Sequence, residues 1–370
     1  MIRLERRTDV SRWLSVVVPA GSLLGAMLAG GLLLRSSGSD PVDAYVKLFQ
    51  RGFTGDGALS ASIVAGTPLL FCGLAAAAAF RMGLTNVGGE GQLFMGAVAS
   101  SGVGLWLGPD LGLAVMPLMM VAGVAAGAAW AAIPGILKAR FDTNEIITSL
   151  MLNYVATNLA SYLIFNSTSF WRLLEGSGRV FPQGRRLDES TDWPFSHVGP
   201  VDTPFGLWVG ISAATGLWVL YRRTRFGFEV RVIGDSAPAA RYAGMRTRRK
   251  IVAVMALSGG LAGLGGASDV GDFRHVLDPK GLGQSGYGYT GIVVAALARL
   301  NPFAVVVVAI VMGGLANAGR ALQGPDLPAG LVGTLQGLLL FFAVGGEVVT
   351  RYRVRRTRPN APVESTEVPA

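Results

Sequence analysis

The feature that most constrains this chain is a series of apolar runs, most of them close to about 20 residues long, separated by short basic or glycine-rich stretches. A helix rises about 1.5 Å per residue, so such a run matches the roughly 30 Å hydrocarbon core of a bilayer. Charged residues make up 15% of the chain, against roughly 25% in soluble domains. The 52 glycines and many alanines suit close helix contact in lipid. The expected fold class is an all-α polytopic membrane protein.

The runs predict about ten transmembrane helices, at residues 13–34, 61–80, 93–107, 111–137, 144–165, 206–220, 251–268, 287–298, 301–318 and 329–350. Residues 1–12 form a basic N-terminus, 13–350 the membrane domain, and 351–370 a basic, proline-containing tail expected to be disordered. With ten spans both termini share a side. Of the 32 Lys and Arg, 22 fall on that side, which the positive-inside rule makes cytoplasmic. The segment 222–250 is then a cytoplasmic loop and 166–205 an external one. The expected location is the cell membrane, multi-pass. The net charge of +9 does not point to nucleic acid, because the basic residues sit at the ends of apolar runs. The first run is too long for a signal-peptide core, so no cleaved leader is expected. The single cysteine, Cys72, lies in an apolar run and reads as packing; one cysteine allows no intrachain disulfide and no cysteine-built metal site.

The third and eighth runs are shorter than a straight crossing needs, and each adjoins a glycine-rich stretch. Irregular backbone at membrane depth is tolerated only where protein buries it or it lines a cavity. Spans two to five and seven to ten would form two units of opposite orientation, an inverted repeat with a translocation path between them. Small-xxx-small pairs, Gly21/Gly25, Gly123/Gly127 and Gly259/Gly263, read as helix contacts.

Between two apolar blocks lies a basic island, residues 221–251, with nine Lys and Arg. A short helix is marked within it. Asp235 or Ser236 can cap its start, Pro238 fits a first turn, and Gly244 can end it in a left-handed conformation. Two turns of helix are not stable alone, so this helix is expected to dock on something. The alternative is a solvated loop that serves only membrane topology.

Other patterns carry no chemistry. Residues 281–286 and 286–291 both match G-x-G-x-x-G, but neither follows a strand. His197 and His275 are isolated, and no metal site is expected. No G-x-x-x-x-G-K-[ST] occurs, so the chain has no P-loop of its own. Glu90, Glu145, Asp269, Arg299 and Glu347 are ionisable groups near span ends, within reach of water and headgroups. None is a mid-span carboxylate of the kind a proton relay uses. Glu90 and Glu145 can also serve as caps to exposed backbone N–H groups.

Four stretches taken together resemble the permease subunits of ABC importers, in the branch serving nucleosides and simple sugars. They are NVGGEGQ (residues 86–92), NEIITSLMLNYVA (144–156), TRFGFEVRVIGDSAPAARYAGM (224–245) and GYTGIVVAALARLNP (288–302). The resemblance covers residues 60–350. It departs at Ser236, Ala237 and Pro238, where the family's docking loop has Asn, Pro and a variable residue. It departs again at Thr290, where the family has Asp. The resemblance implies a type II importer permease that works in pairs and belongs to no enzyme class of its own. ATP and Mg would be held by a separate ATPase subunit. Substrate would arrive from an extracytoplasmic binding protein or lipoprotein. The second permease would be a paralogue or another copy. ATPase coupling would fall to Phe228, Gly234, Asp235, Ser236, Ala239, Ala240, Tyr242 and Gly244. The substrate path would be lined by Asn86, Glu90, Gln92, Asn144, Glu145, Asn153, Tyr154, Tyr287 and Thr290. The implied cargo is a nucleoside. The alternatives are the same mechanism with a simple sugar or branched-chain amino acid, an ion-coupled secondary transporter, and a non-transporting scaffold. A secondary transporter would need a mid-membrane ion site, and a scaffold would not need the docking helix.

Overall fold

The computed structural model describes residues 2–6, 13–322, 330, 333–335, 337–338, 341–342, 345–346 and 352–356. Most of the expected tenth span, with Glu347, lies outside the described residues, and so does most of the second unit's closing helix in the expected inverted repeat. The chain divides into two units, Met1–Ala44 with Pro328–Ala370, and Tyr45–Leu327. In the first, helix α1 (Leu14–Ser36) is the main element. There the strand Ile2–Arg6 pairs antiparallel with Tyr352–Arg356. The tail is therefore a strand over those five residues, where composition alone suggests disorder.

The remaining helices are α2 (Pro41–Phe49), α3 (Ala58–Phe80), α4 (Gly89–Leu111), α5 (Met116–Phe141), α6 (Glu145–Ser161), α7 (Phe205–Arg223), α8 (Arg225–Asp235), α9 (Ala237–Tyr242), α10 (Thr247–Ser268), α11 (Pro279–Ser285), α12 (Tyr287–Leu297) and α13 (Pro302–Leu322). Wide π-helical turns extend α6 to Asn166 and α10 to Arg274. Among the described residues, four helical runs are long and apolar enough to cross a membrane, or up to five if one bent pair counts as a single span. At about 1.5 Å per residue, α12 alone is far too short for a crossing. It follows α11 across Gly286, whose φ of 55° breaks the pair. The expected eighth span, residues 287–298, is thus one short helix, and a second short helix, α11, stands in the glycine-rich stretch before it. The third span is longer than expected. It runs through Pro109, and the chain turns at Gly112, φ 54°, rather than at residues 108–110. From there α5 folds back along α4.

Helices α3 and α10 make the core. Helix α3 is buried along nearly its whole length, with Leu70, Phe71 and Leu74 fully enclosed and Cys72 among them. Helix α10 packs against α3, α4 and α5, and both α12 and α13 pack against α3. The contact of α5 with α10 is backbone on backbone. A Cβ at Gly127 would collide with the carbonyl of Gly259, and one at Gly259 with that of Gly127. Their partners Gly123 and Gly263 meet in the same way, so two of the expected small-residue pairs face each other.

The long connection 166–205 is folded rather than merely polar. A hairpin, Phe195–Val198 with Val201–Pro204, closes it. Trp193, 2% exposed, donates its backbone N–H to Gly271 O at 3.0 Å, and Leu187 N–H donates to His275 O at 2.9 Å. The connection therefore sits over the end of α10.

Candidate functional site

Three of the four motif stretches meet in one buried polar knot. It begins where α3 ends and Gly83, φ 74°, turns the chain toward α4. Asn86 Oδ1 accepts from Gly88 N–H at 2.9 Å and from Gln92 Nε2 at 3.0 Å. Its Nδ2 donates to Gln92 Oε1 at 3.0 Å and to Ser258 Oγ at 2.8 Å. Ser258, on α10, in turn donates its hydroxyl to Ala75 O on α3 at 2.7 Å. The free N–H of Gly91 in the first turn of α4 is met from another helix, by Asn153 Oδ1 at 2.8 Å. Asn153 Nδ2 donates to Val87 O at 3.0 Å and to Tyr289 OH at 3.3 Å. Glu90 accepts from Gly288 N–H at 2.7 Å, which places a carboxylate on the positive end of α12. A Cβ at Gly288 would strike the backbone of Glu90, so only glycine allows that approach.

This arrangement divides eight of the nine expected path residues into three groups; the ninth, Tyr287, is buried beside a separate network. Asn86, Glu90, Gln92 and Asn153 are at most 3% exposed, and their polar atoms are turned toward each other's helices. They tie α3, α4, α6, α10 and α12 together. Glu90 and Asp269 lie away from the water that a span end suggests: both are buried, Asp269 completely. Asn144 and Glu145 shape a corner. Asn144 caps α6, accepting from Ile146 N–H at 2.9 Å and Ile147 N–H at 3.3 Å. Glu145 pairs with Lys138 at 3.4 Å. Tyr154, 58% exposed, and the half-buried Thr290 remain accessible. Tyr154 continues into a stripe on α6 with Asn158 and Tyr162, one turn apart, all exposed. Tyr289 of α12, bonded to the knot through Asn153, is also exposed.

A second buried network closes the opposite end of α10. Tyr287, 2% exposed, packs beside it. Arg274 Nε donates to Asp269 at 2.8 Å, Nη1 to Asp278 at 3.0 Å and Nη2 to Ser285 at 3.1 Å. Asp272 accepts from Ser268 Oγ at 2.6 Å and from Gly206 N–H at 3.2 Å. The i, i+4 and i, i+5 spacing of these charges was the available signal in the sequence. The π-helical turn that directs them inward was not visible there.

The basic island holds two helices where the sequence marks one. Thr224 caps α8, its Oγ1 accepting from Gly227 N–H at 3.3 Å. Helix α8 buries Gly227, Val230 and Ile233, one side of the helix. Of the two candidate caps for the next helix, Ser236 does the work, accepting from Ala239 N–H at 3.3 Å. Asp235 is the last residue of α8. Gly244 stands at φ 78° and ends α9 as expected. Ala240 is fully buried, whereas Tyr242 is 98% exposed and Phe228 53%. Lys250 pairs with Glu229 at 2.8 Å and lies 4.4 Å from the Phe226 ring centroid, which pins the start of α10 to α8. Gly234 lies against Arg81 and Met82, close enough that a Cβ would be in contact with both. The segment that leads into Asn86 therefore touches the island directly.

The family profile described as branched-chain amino acid transport system / permease component matches residues 58–344. The chain belongs to this permease family. It is 35% identical to the glucose ABC transporter permease protein TsgB13 of Haloferax volcanii, over 99% of this chain and 97% of that one. It is 33% identical to the guanosine ABC transporter permease protein NupP of Bacillus subtilis, over 94% and 96%. The nucleoside ABC transporter permease protein NupB of Lactococcus lactis is 26% identical, over 88% and 90%. As a permease of this family the chain is the membrane subunit of an ABC importer. It carries no ATPase site, and ATP hydrolysis belongs to a partner subunit.

Proposed function

We propose that this permease forms the translocation path for a nucleoside and is driven through α8 and α9 by an ATPase that binds ATP and Mg. The observation that carries the coupling role is the geometry of α9. It is six residues long, too short to be stable alone. It is anchored by the buried Ala240 and presents Tyr242 almost wholly to solvent. An exposed tyrosine on an anchored helix suits a partner contact, because Tyr offers a large rigid surface at low entropic cost. Force on α9 passes through α8 to Gly234, from Gly234 to Arg81 and Met82, and from there to the knot at Asn86. Phe228, Asp235, Ser236, Ala239 and Gly244 shape that arm.

In this reading the knot is the rigid part, and Tyr154, Asn158, Tyr289 and Thr290 face the path, with Tyr287 behind them. Two tyrosines beside an amide suit a nucleoside, whose base stacks on aromatic rings and bonds through its edges. The guanosine and nucleoside permeases among the relatives support this cargo. The glucose permease at 35% identity supports a second reading, the same mechanism with a simple sugar. The path would lie between this chain and a second permease, with an extracytoplasmic binding protein delivering substrate. Uptake of labelled guanosine, adenosine, ribose, glucose and leucine by cells expressing the whole system decides the cargo. Preference for guanosine or adenosine is expected; preference for glucose, ribose or leucine overturns the nucleoside reading.

A further inference from the structure

At the α8 end of the bundle there is a cavity of 310 Å³ lined by Arg81, Arg222, Arg231, Trp218, Tyr221 and Asn301, with Pro302 at its edge. Three guanidiniums therefore share one pocket. Among the described residues none of them is paired with a carboxylate; the nearby Glu229 is engaged by Lys250 at 2.8 Å and Arg225 at 3.7 Å. The three are held instead by neutral groups. Arg81 Nη2 donates to Leu300 O at 2.9 Å, and its guanidinium lies 5.6 Å from the Tyr221 ring centroid. Arg231 Nη1 donates to Tyr221 O at 2.6 Å. Arg222 lies 5.5 Å from the Trp218 ring centroid. The carbonyl that holds Arg81 belongs to a strained turn, with Arg299 at φ 49° and Leu300 at φ 58°. Such backbone persists where the surroundings over-determine it, and it clusters at functional sites.

Converging arginines without counter-charges suit a phosphoryl group, which guanidinium forks bind bidentately. The surroundings of the pocket indicate the source. Trp218 packs on Phe303 at 6.1 Å between ring centroids. From Phe303 an apolar strip runs along α13 through Val307 and Val311, which are 43%, 63% and 51% exposed and spaced one turn apart. A tryptophan beside arginines at the end of exposed apolar helices is the signature of a membrane–water boundary. We propose that this cavity binds the phosphate headgroup of an anionic phospholipid, with its chains lying along Phe303, Val307 and Val311. The site is separate from the substrate path and rests only on the chain spanning a membrane. Because Arg231 belongs to α8, bound lipid would brace the arm against the end of α7.

The test uses the full chain reconstituted in phosphatidylcholine vesicles, with brominated phosphatidylglycerol or brominated phosphatidylcholine at equal mole fraction as quenchers of tryptophan fluorescence. Phosphatidylglycerol should quench more strongly, and the excess should vanish in Trp218→Phe. The preference should fall about fivefold for each arginine removed, as a basic residue near an anionic surface contributes about 1 kcal/mol. Arg222→Gln with Arg231→Gln measures this, and Arg222→Lys, which keeps the charge, should retain most of it. Should the double variant fail to fold, the wild-type and Trp218→Phe comparison decides alone. Equal quenching by the two lipids overturns the proposal, as does an excess that survives in Trp218→Phe. Displacement of the excess by inorganic phosphate also overturns it, since the site would then read a free phosphate.

Discussion

A buried amide that bonds two other helices is a different thing from a polar group lining a channel, although both look alike in a sequence. Asn153 illustrates it. The residue stands out as the polar member of an apolar run, and that much is legible. Its partners are not, because Gly91 and Val87 lie more than 60 positions away and nothing local marks them. Removing its side chain leaves a buried N–H and a buried C=O unpaired, each worth about 1–3 kcal/mol. Asn153→Ala should therefore lose about 2–6 kcal/mol of stability and melt earlier in detergent, with uptake falling alongside. Tyr154 is the contrasting neighbour. It is 58% exposed, so Tyr154→Ala should melt as the wild type does while uptake drops. Thermal unfolding of the purified variants beside a transport assay separates the two roles. A normal melt for Asn153→Ala would contradict the knot, and unimpaired uptake in Tyr154→Ala would remove that residue from the path. Ser258 is illegible for a similar reason: within the run Ser258, Gly259, Gly260 it reads as a small packing residue, and only the fold brings it to Asn86.

At the level of elements, legibility followed local chemistry. The stop of α9 was readable from Gly244, and its start narrowed to Asp235 or Ser236, because caps and left-handed glycines are local signals. Helix α8 was hidden, because Arg225, Arg231 and Glu229 mask the apolar side formed by Val230 and Ile233. The end of α4 is not legible locally, because Gly108 and Pro109 carry a turn signature that the helix runs through. Two substitutions probe elements rather than single contacts. Ala240 N–H donates to Ser236 O at 3.0 Å, so Ala240→Pro removes that bond and clashes one turn back, at about 3 kcal/mol. The buried side chain leaves no room for relief. Membrane levels should be normal, while ATPase co-purification and uptake are lost; Tyr242→Ala should weaken co-purification without abolishing it. Wild-type transport by Ala240→Pro would return the island to a loop that serves topology alone. Gly259→Leu strikes the contact of α5 with α10, where no side chain fits. It should reduce folded protein in the membrane sharply, measured by size-exclusion yield, whereas Gly216→Leu, with open space around it, should not.

For the molecule as a whole, the charge bias makes a directional statement that the fold allows to be tested at chosen positions. The basic island and the connection 166–205 belong to opposite ends of α7, so they must emerge on opposite sides if α7 crosses. The reading from Lys and Arg places the island, and both termini, in the cytoplasm. Accessible reporters are now known. Tyr242 is 98% exposed on the island, and Val180 is 72% exposed on the connection. Ala240 would be a poor reporter, being fully enclosed. Cys72 is 2% exposed and packed in α3, so Cys72→Ala supplies a background with no native thiol at the loss of a single sulfur atom. In that background an impermeant maleimide should label Val180→Cys on intact cells. Tyr242→Cys should react only after permeabilisation. Co-expressing the ATPase should then slow its labelling, because the docking surface is covered. Labelling of Tyr242→Cys from outside would invert the topology and, with it, the side from which ATP drives transport. Equal labelling with and without the ATPase would leave the orientation standing and take the docking role away from α9.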